Sequence, residues 1–501
     1  AERCTGCGIC AGTCPEFVFE SNGPCRPVSV ARPELCLGCM ACEEDCAVGA
    51  LRVHRLPEGM HEKDIPEPCM GIDTDKVYDL LIVGAGPAGL GAAIRGRMLG
   101  LDLAVLDRLP SPRRSHHPDG GLIASVPDIY MLKETSDGGL RIDELDVNFS
   151  PEMVRGRLHN FILMGPDGVA TKKERGLPTG FAVVWKDRFV ETLAQKAVQL
   201  GAIIAWNSRV RKISRLGELS VLTLDGGTEI KARVVISAEG ITGSLAHSAG
   251  IKVNEKPVGW SFGVAVDMPA LENPVDECGF VVGNPDSSPG SPAAMSYWSS
   301  GPSWTELMPG TLQKGRHREL DRPLHEYVSD WLEKDSRILA RLGCTPEIPG
   351  RFSDGCRGFL RRLPENMVGD GIIAVGDSVT TCGMITNLGA LKTGDIAAEV
   401  AASAIRSGDT GQAALSEFER RFRKLSLRSG MNWMFGPLMD APMHLPKDKL
   451  KELFEMLSHL EMSVVQGGGF AALWELMKFF LRIMPKLMLR PDIRPYLTGG
   501  K

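Results

Sequence analysis

From Val77 onward, short apolar runs the length of buried strands alternate with glycine turns and helical stretches. Val77-Tyr78-Asp79-Leu80-Leu81-Ile82-Val83 predicts a buried strand, and Gly84-Ala85-Gly86-Pro87-Ala88-Gly89 turns it into a helix reaching about Leu99. Leu103-Ala104-Val105-Leu106 predicts the next strand, closed by Asp107. Arg188-Phe189 opens an amphipathic helix to Leu200, and Val234–Ser237 and Gly371–Val375 read as further strands. Residues 56–76 are rich in proline and charge, lack apolar periodicity and read as a linker. Near the C-terminus, Phe470–Met484 is polar only at Glu475, Lys478 and Arg482, which share one helical stripe. These patterns divide the chain into 1–60, a linker 61–76, a main unit 77–430 and a helical region 431–501.

The N-terminal unit is set apart by its cysteines: ten of fourteen fall within the first 69 residues. Eight of them form two copies of one spacing, Cys4-x2-Cys7-x2-Cys10-x3-Cys14 and Cys36-x2-Cys39-x2-Cys42-x3-Cys46. Three thiolates two residues apart wrap one corner of a cubane, and the fourth cysteine of each run ligates the other cluster. Cys4, Cys7, Cys10 and Cys46 are therefore expected on one [4Fe–4S] cluster, and Cys14, Cys36, Cys39 and Cys42 on a second. Structural zinc, usually held by two pairs of ligands, gives no reason for a third cysteine at each corner. The segment resembles bacterial two-cluster ferredoxins, with Cys46-Ala47-Val48-Gly49-Ala50 carrying Ala47 where they usually have proline.

Apolar residues make up 43% and charged residues 24% of the 501, an ordinary globular composition. A net charge of −5 argues against a nucleic-acid partner. No apolar run is long enough to span a bilayer, and cysteine usage fits a reducing, cytoplasmic setting. The last 36 residues (466–501) are locally basic, with six basic and two acidic residues. Two readings follow for the terminal helix: a cap or subunit contact, or a peripheral helix lying on an anionic membrane face.

The strand, glycine turn, helix, second strand and terminal acid together form a dinucleotide fingerprint. Gly84 permits the turn, Gly86 lets the backbone approach a pyrophosphate, and Gly89 allows close helix–strand packing. Ala85, Pro87 and Ala88 complete the cradle at the helix N-terminus, where amides and dipole favour phosphate. Asp107 is placed to accept from a ribose hydroxyl, with Arg108 beside it grouped among the cofactor contacts. No second unit of this kind occurs, which argues against a separate nicotinamide domain.

With the strand ending in Ala238-Glu239-Gly240 and the Gly376-Asp377 strand end, the chain resembles FAD proteins of the p-hydroxybenzoate-hydroxylase fold. The expected fold class is α/β, a Rossmann-like unit with an antiparallel substrate-domain sheet, preceded by the ferredoxin-like domain and followed by helices. Within that fold it resembles the group of electron-transfer-flavoprotein:quinone oxidoreductase and the geranylgeranyl reductases. The resemblance implies that Asp377 contacts the ribityl–pyrophosphate of FAD and that Asn387, Leu388 and Gly389 lie by the flavin pyrimidine edge. It implies further contacts from Gly121 and Leu122, from Arg188, from the Val210 backbone at the adenine, and from Ala238, Glu239 and Gly240. The chain departs from the geranylgeranyl reductases at His116-His117-Pro118-Asp119, where they carry a cysteine, and at Ser296-Tyr297-Trp298, where their substrate signature is broken.

Cys382, Tyr297 and His117 are the candidate catalytic residues near the flavin. The expected function is an iron–sulfur flavoprotein passing electrons between ferredoxin or an electron-transfer flavoprotein, the clusters, FAD and a hydrophobic acceptor such as a quinone. Two alternatives stand beside it: a ferredoxin-dependent C=C reductase of a prenyl or enone substrate, and an electron-relay subunit of a larger complex.

Overall fold

The computed structural model describes residues 3–53, 60–112, 121–124, 128–158, 160–166, 170–171, 181–252, 257–268, 277–282, 293–301, 304–313, 318–334, 354–361, 363–379, 387–428, 445, 447–457 and scattered positions from 481 to 491. Its centre is a mixed eight-stranded sheet. Side by side run Ile203–Ala205, Leu103–Leu106, Val77–Val83 and Glu229–Ser237, all parallel, with Ile372–Ala374 parallel against the end of the last. Strands covered on both faces are continuously apolar, and Leu103 to Leu106 are all buried. The hairpin Val210–Leu216/Leu219–Leu224 continues the sheet antiparallel.

Helices cover this sheet. The helix Pro87–Met98 after the glycine turn packs on the long helix Asn387–Ser407 through glycines that admit backbone contact. A Cβ at Gly91 would stand 2.2 Å from the Leu391 carbonyl oxygen, and one at Gly394 would stand 1.8 Å from that of Ala88. The helix Lys186–Gln199 buries Phe189, Val190, Leu193, Ala194 and Ala197, the inward stripe that its amphipathic pattern predicted.

A second sheet of seven strands runs in the order Ala170–Thr171, Asn160–Met164, Glu277–Val282, Ala293–Gly301, Trp304–Gln313, Pro257–Met268, Asp354–Arg361. It is antiparallel except between Asn160–Met164 and Glu277–Val282. This is the mixed α/β plan of the p-hydroxybenzoate-hydroxylase-like FAD fold that the resemblance implied.

The N-terminal cysteine segment has two short helices, Ile9–Thr13 and Ala41–Glu44, and a two-stranded ribbon, Phe19–Glu20 with Ser29–Val30. It shares a core with the second sheet: Leu37 and Ala41 cluster with Phe262, Val264, Leu307, Leu324 and Val328. The described part of the linker is held down, because the Cys69 backbone amide donates to Ser208 Oγ at 2.8 Å and Asn207 Nδ2 donates to the Pro66 carbonyl at 3.0 Å. Among the described residues no helix is long and apolar enough to cross a membrane. Phe470–Met484 falls almost wholly outside the described residues.

Candidate functional site

Four of the five parallel strands of the central sheet lead into the residues along one of its edges, where ligands of open α/β sheets bind. Backbone hydrogen bonds stitch the ends together: Gly84 donates to Leu106 at 2.8 Å, Ala238 to Val83 at 2.8 Å and Val375 to Ser237 at 2.9 Å. Gly84, Asp107, Glu239 and Gly376 thus stand in one row although the sequence spreads them over nearly 300 positions.

Each glycine of the turn has its own reason. Gly84 sits at φ +104°, and a Cβ there would meet the Ala238 carbonyl oxygen at 2.2 Å. A Cβ at Gly89 would meet the Gly84 carbonyl oxygen at 1.8 Å, so the helix lies directly on the turn. Gly86 differs: its backbone is ordinary (φ −75°, ψ −179°) and nothing lies within 4 Å of an added Cβ. Its missing side chain leaves open space at the helix N-terminus, where Pro87 follows at the first position and Ala88 is buried.

Asp107 is buried, and each oxygen accepts a backbone amide, Oδ2 from Ala85 at 2.5 Å and Oδ1 from Leu109 at 2.7 Å. Burial pushes its carboxyl above the ordinary value against the pull of those amides. Its first visible duty is therefore to brace the turn, with lone pairs remaining for a further donor. Arg108 turns away from the sheet edge: Nη2 bonds Glu44 Oε1 at 2.9 Å and lies 3.7 Å from Met40 Sδ, both in the cysteine segment.

Glu239 is likewise engaged locally. It accepts from Ser237 Oγ at 2.7 Å, Ser244 Oγ at 3.0 Å and the Leu245 amide at 3.0 Å, so it caps the short helix Ser244–Ser248. Burial raises its carboxyl too. Gly240 has φ +69°, and its carbonyl accepts from Ser378 Oγ at 3.1 Å. Gly376 has φ +60° and donates to Thr393 Oγ1 at 3.0 Å, while the neighbouring Asp377 is exposed at the strand end. Asn387, Leu388 and Gly389 are buried at the start of their helix.

Gly121 has φ +56° with no room for a Cβ against the Val184 carbonyl, and Leu122 begins the strand Leu122–Ala124. Arg188 is exposed on its helix and donates to the Glu152 carbonyl at 3.3 Å. Val210 opens its strand opposite Leu224. Tyr297 lies in the second sheet between Phe280 and Met308 in register. His117 and Cys382 lie outside the described residues.

The cysteines form two groups. Burial pushes the Cys10 thiol up, with Cys4 and Cys46 as its charged neighbours. Burial also raises Cys14, beside Cys36; raises Cys39, beside Cys14 and Cys36; and raises Cys42, beside all three. The fourth cysteine of each run thus faces the other run. Cys14, Cys36, Cys39 and Cys42 line one cavity with Val18, Leu37, Met40 and Val53. Among the described residues no group of three His, Cys, Asp or Glu side chains has the geometry to hold a single metal ion. Four thiols drawn from two runs, Cys14 with Cys36, Cys39 and Cys42, are the donor set that a multi-iron cluster would need.

The FAD binding domain family matches residues 77–331, just over half of the 501-residue chain. The chain belongs to that family. It is an FAD-dependent oxidoreductase. Among curated relatives, digeranylgeranylglycerophospholipid reductase of Methanocaldococcus jannaschii is 26% identical over 365 residues, 70% of this chain and 84% of the relative. Digeranylgeranylglycerophospholipid reductase 1 of Methanothermobacter thermautotrophicus is 24% identical over 425 residues, 82% of this chain and 97% of the relative. A geranylgeranyl bacteriochlorophyll reductase-like protein from Thermoplasma acidophilum shares the fold with a TM-score of 0.62 at 18% identity, covering 82% of this chain and 98% of that one. CtdE, solved with FAD and a substrate, shares it with a TM-score of 0.54 at 17% identity, covering 81% of this chain and 98% of that one.

The residues of this FAD-binding family member fit the cofactor: the space over Gly86, the helix N-terminus behind it and the exposed Asp377 share one sheet edge. Sequence reasoning missed Thr393, which holds the Gly376 amide, and Gly394. An isolated glycine within a helical pattern was the available signal for Gly394. It also missed Arg357, buried with Nη1 on Asp45 Oδ2 at 2.8 Å and Nη2 on Glu44 Oε2 at 2.6 Å.

Proposed function

We propose that this chain reduces carbon–carbon double bonds of a prenyl chain, drawing electrons one at a time through two [4Fe–4S] clusters from a ferredoxin-type carrier. The observation that carries the reading is the joining of two crossed cysteine sets to an FAD fold through a shared core. The similarity to digeranylgeranylglycerophospholipid reductases over most of their length favours this substrate class over a quinone.

Bound FAD would supply hydride transfer to the substrate while being refilled in single electrons. The chain's residues do the rest. Gly84–Gly89 and the helix behind them orient the pyrophosphate, and Asp107 keeps that turn in shape while offering a lone pair to the ribose. The helix start at Asn387–Gly389 would lie by the pyrimidine edge of bound FAD, where its dipole favours negative charge. Each double bond takes up two electrons and two protons; His117, Tyr297 and Cys382 are the candidates to deliver the solvent-derived proton. A prenyl lipid substrate also gives the basic C-terminal region a reason to lie against a membrane.

The test is an anaerobic single turnover. The dithionite-reduced protein is mixed with geranylgeranyl diphosphate or a digeranylgeranyl glycerophospholipid, and in parallel with a short-chain quinone. Return of the flavin absorbance with the prenyl compound, and a product heavier by two hydrogens per bond, supports the reading. Return with the quinone alone sinks it.

A further inference from the structure

The acidic run Glu43-Glu44-Asp45, between Cys42 and Cys46, is held by three arginines distant in sequence. Arg209 Nη1 meets Glu43 Oε1 at 2.8 Å, Arg108 holds Glu44, and Arg357 bridges Glu44 and Asp45. Three negative and three positive charges cancel in a region where Glu43, Asp45 and Arg357 are all buried. Buried charge of either sign is costly when unpaired, so the six groups act as one clamp.

The clamp does not serve the two cysteine sets equally. Arg357 is a charged neighbour of Cys39, and the adjoining Gly355 amide donates to the Leu37 carbonyl at 2.9 Å, between Cys36 and Cys39. A Cβ at Gly355 would stand 2.7 Å from Leu37 Cβ, so the second sheet lies against that loop. On the other side Met40, which lines the cavity of the second set, touches Arg108. Arg108 adjoins Asp107, whose carboxylate holds the Ala85 amide of the cofactor turn. A chain of contacts thus runs from the second cysteine set to the FAD edge. Each set has one exposed corner, Cys7 or Cys36, but the first buries only Cys10 whereas the second buries both Cys14 and Cys42.

We propose that Cys14, Cys36, Cys39 and Cys42 form the site that passes electrons to the flavin, and that Arg357 with Glu44 and Asp45 sets its reduction potential apart from that of the first site. Arg357 is a positioning residue here, acting through the docked loop and through its charge. This inference rests on the two-cluster reading above. Each passage moves one electron from the reduced second site to the flavin. Two passages and one proton from solvent complete a two-electron reduction, and a reduced one-electron carrier protein replaces the electrons at the first site. Cluster potentials respond to nearby charge and hydrogen bonding.

The experiment is an EPR-monitored redox titration of the full chain, purified anaerobically, with Arg357→Gln, Arg357→Lys and Glu44→Gln. Removing the guanidinium leaves one negative charge uncompensated, so Arg357→Gln lowers the second site's midpoint. Glu44→Gln leaves one positive charge and raises it, and Arg357→Lys stays near the parent. In Arg357→Gln and Glu44→Gln the first site's midpoint moves less than the second's, since Asp45 is the one clamp carboxylate next to a cysteine of that site, Cys46. A purely structural role would loosen the docking without giving opposite signs, so midpoints that move equally in both sites, or not at all, overturn the proposal. If Arg357→Gln fails to fold, the upward shift in Glu44→Gln carries the test alone. A parent protein without iron and sulfide overturns the two-cluster reading itself, whereas loaded clusters with unmoved potentials overturn only the inference.

Discussion

The open space over Gly86 is tested by a single methyl group. In Gly86→Ala the added Cβ meets nothing within 4 Å, and φ −75° with ψ −179° suits alanine. Without cofactor the variant should therefore be as stable as its parent, or gain about 0.4–1 kcal/mol because alanine reduces the freedom of the unfolded chain. With cofactor the methyl group intrudes where the pyrophosphate crosses the turn. Overpacking of a fitted contact costs about 1–3 kcal/mol, which at about 1.4 kcal/mol per decade weakens FAD binding roughly 5- to 150-fold. The contrast is Gly84→Ala. Its φ of +104° and its 2.2 Å approach to the Ala238 carbonyl penalise the fold itself, cofactor or not. The assay pairs thermal melts of the stripped proteins with FAD titration by flavin fluorescence. A Gly86→Ala protein that binds FAD like its parent, or that melts early when stripped, would refute the reasoning.

Further outcomes follow from the same structure. Gly394→Ala gains up to about 1 kcal/mol of helix propensity but drives a Cβ to 1.8 Å from the Ala88 carbonyl, so a net loss of about 1–2 kcal/mol should appear in melts of stripped and loaded protein alike. Burial pushes the Asp395 carboxyl up, but hydrogen bonds from Arg95 and from Lys392 at 2.9 Å, with Tyr130 adding one at 2.7 Å, overcome it and hold it below the ordinary value near 3.8. Its stabilisation is present above that value and lost as pH falls through the lower folded one; Asp395→Asn should cost about 1–3 kcal/mol at neutral pH and flatten the acid limb of a denaturation series. Cys10→Ser and Cys14→Ser should each remove one site, taking iron from about eight to about four per chain by metal analysis, with different EPR signals lost.

The central fold was legible because its signals are local. A buried parallel strand must be apolar throughout, and Leu80–Val83 and Leu103–Leu106 show it without reference to anything distant. The glycine turn is equally local, since φ and close approach act within a few residues. The repeated cysteine interval pointed to Cys14 standing with the second run, and Cys14, Cys36, Cys39 and Cys42 do line one cavity. What was not legible is long-range pairing of charge. Glu43, Glu44 and Asp45 look like a solvated run, and nothing near them names Arg209 or Arg357 as partners. The pairing of Arg108 was hidden for the same reason: its neighbour Asp107 faces the turn while its own side chain crosses to the cysteine segment. Glu239 and Asp107 also show that a polar residue at a strand end serves backbone amides before any ligand.

The most direct test of the proposed chemistry follows the flavin band of the anaerobically purified chain during reduction by a reduced ferredoxin and then addition of a digeranylgeranyl glycerophospholipid. The expected result is bleaching by ferredoxin that depends on Cys14, then recovery with the lipid and a product saturated by two hydrogens per bond. Bleaching that is indifferent to Cys14, or recovery with a quinone and never with the lipid, would contradict it.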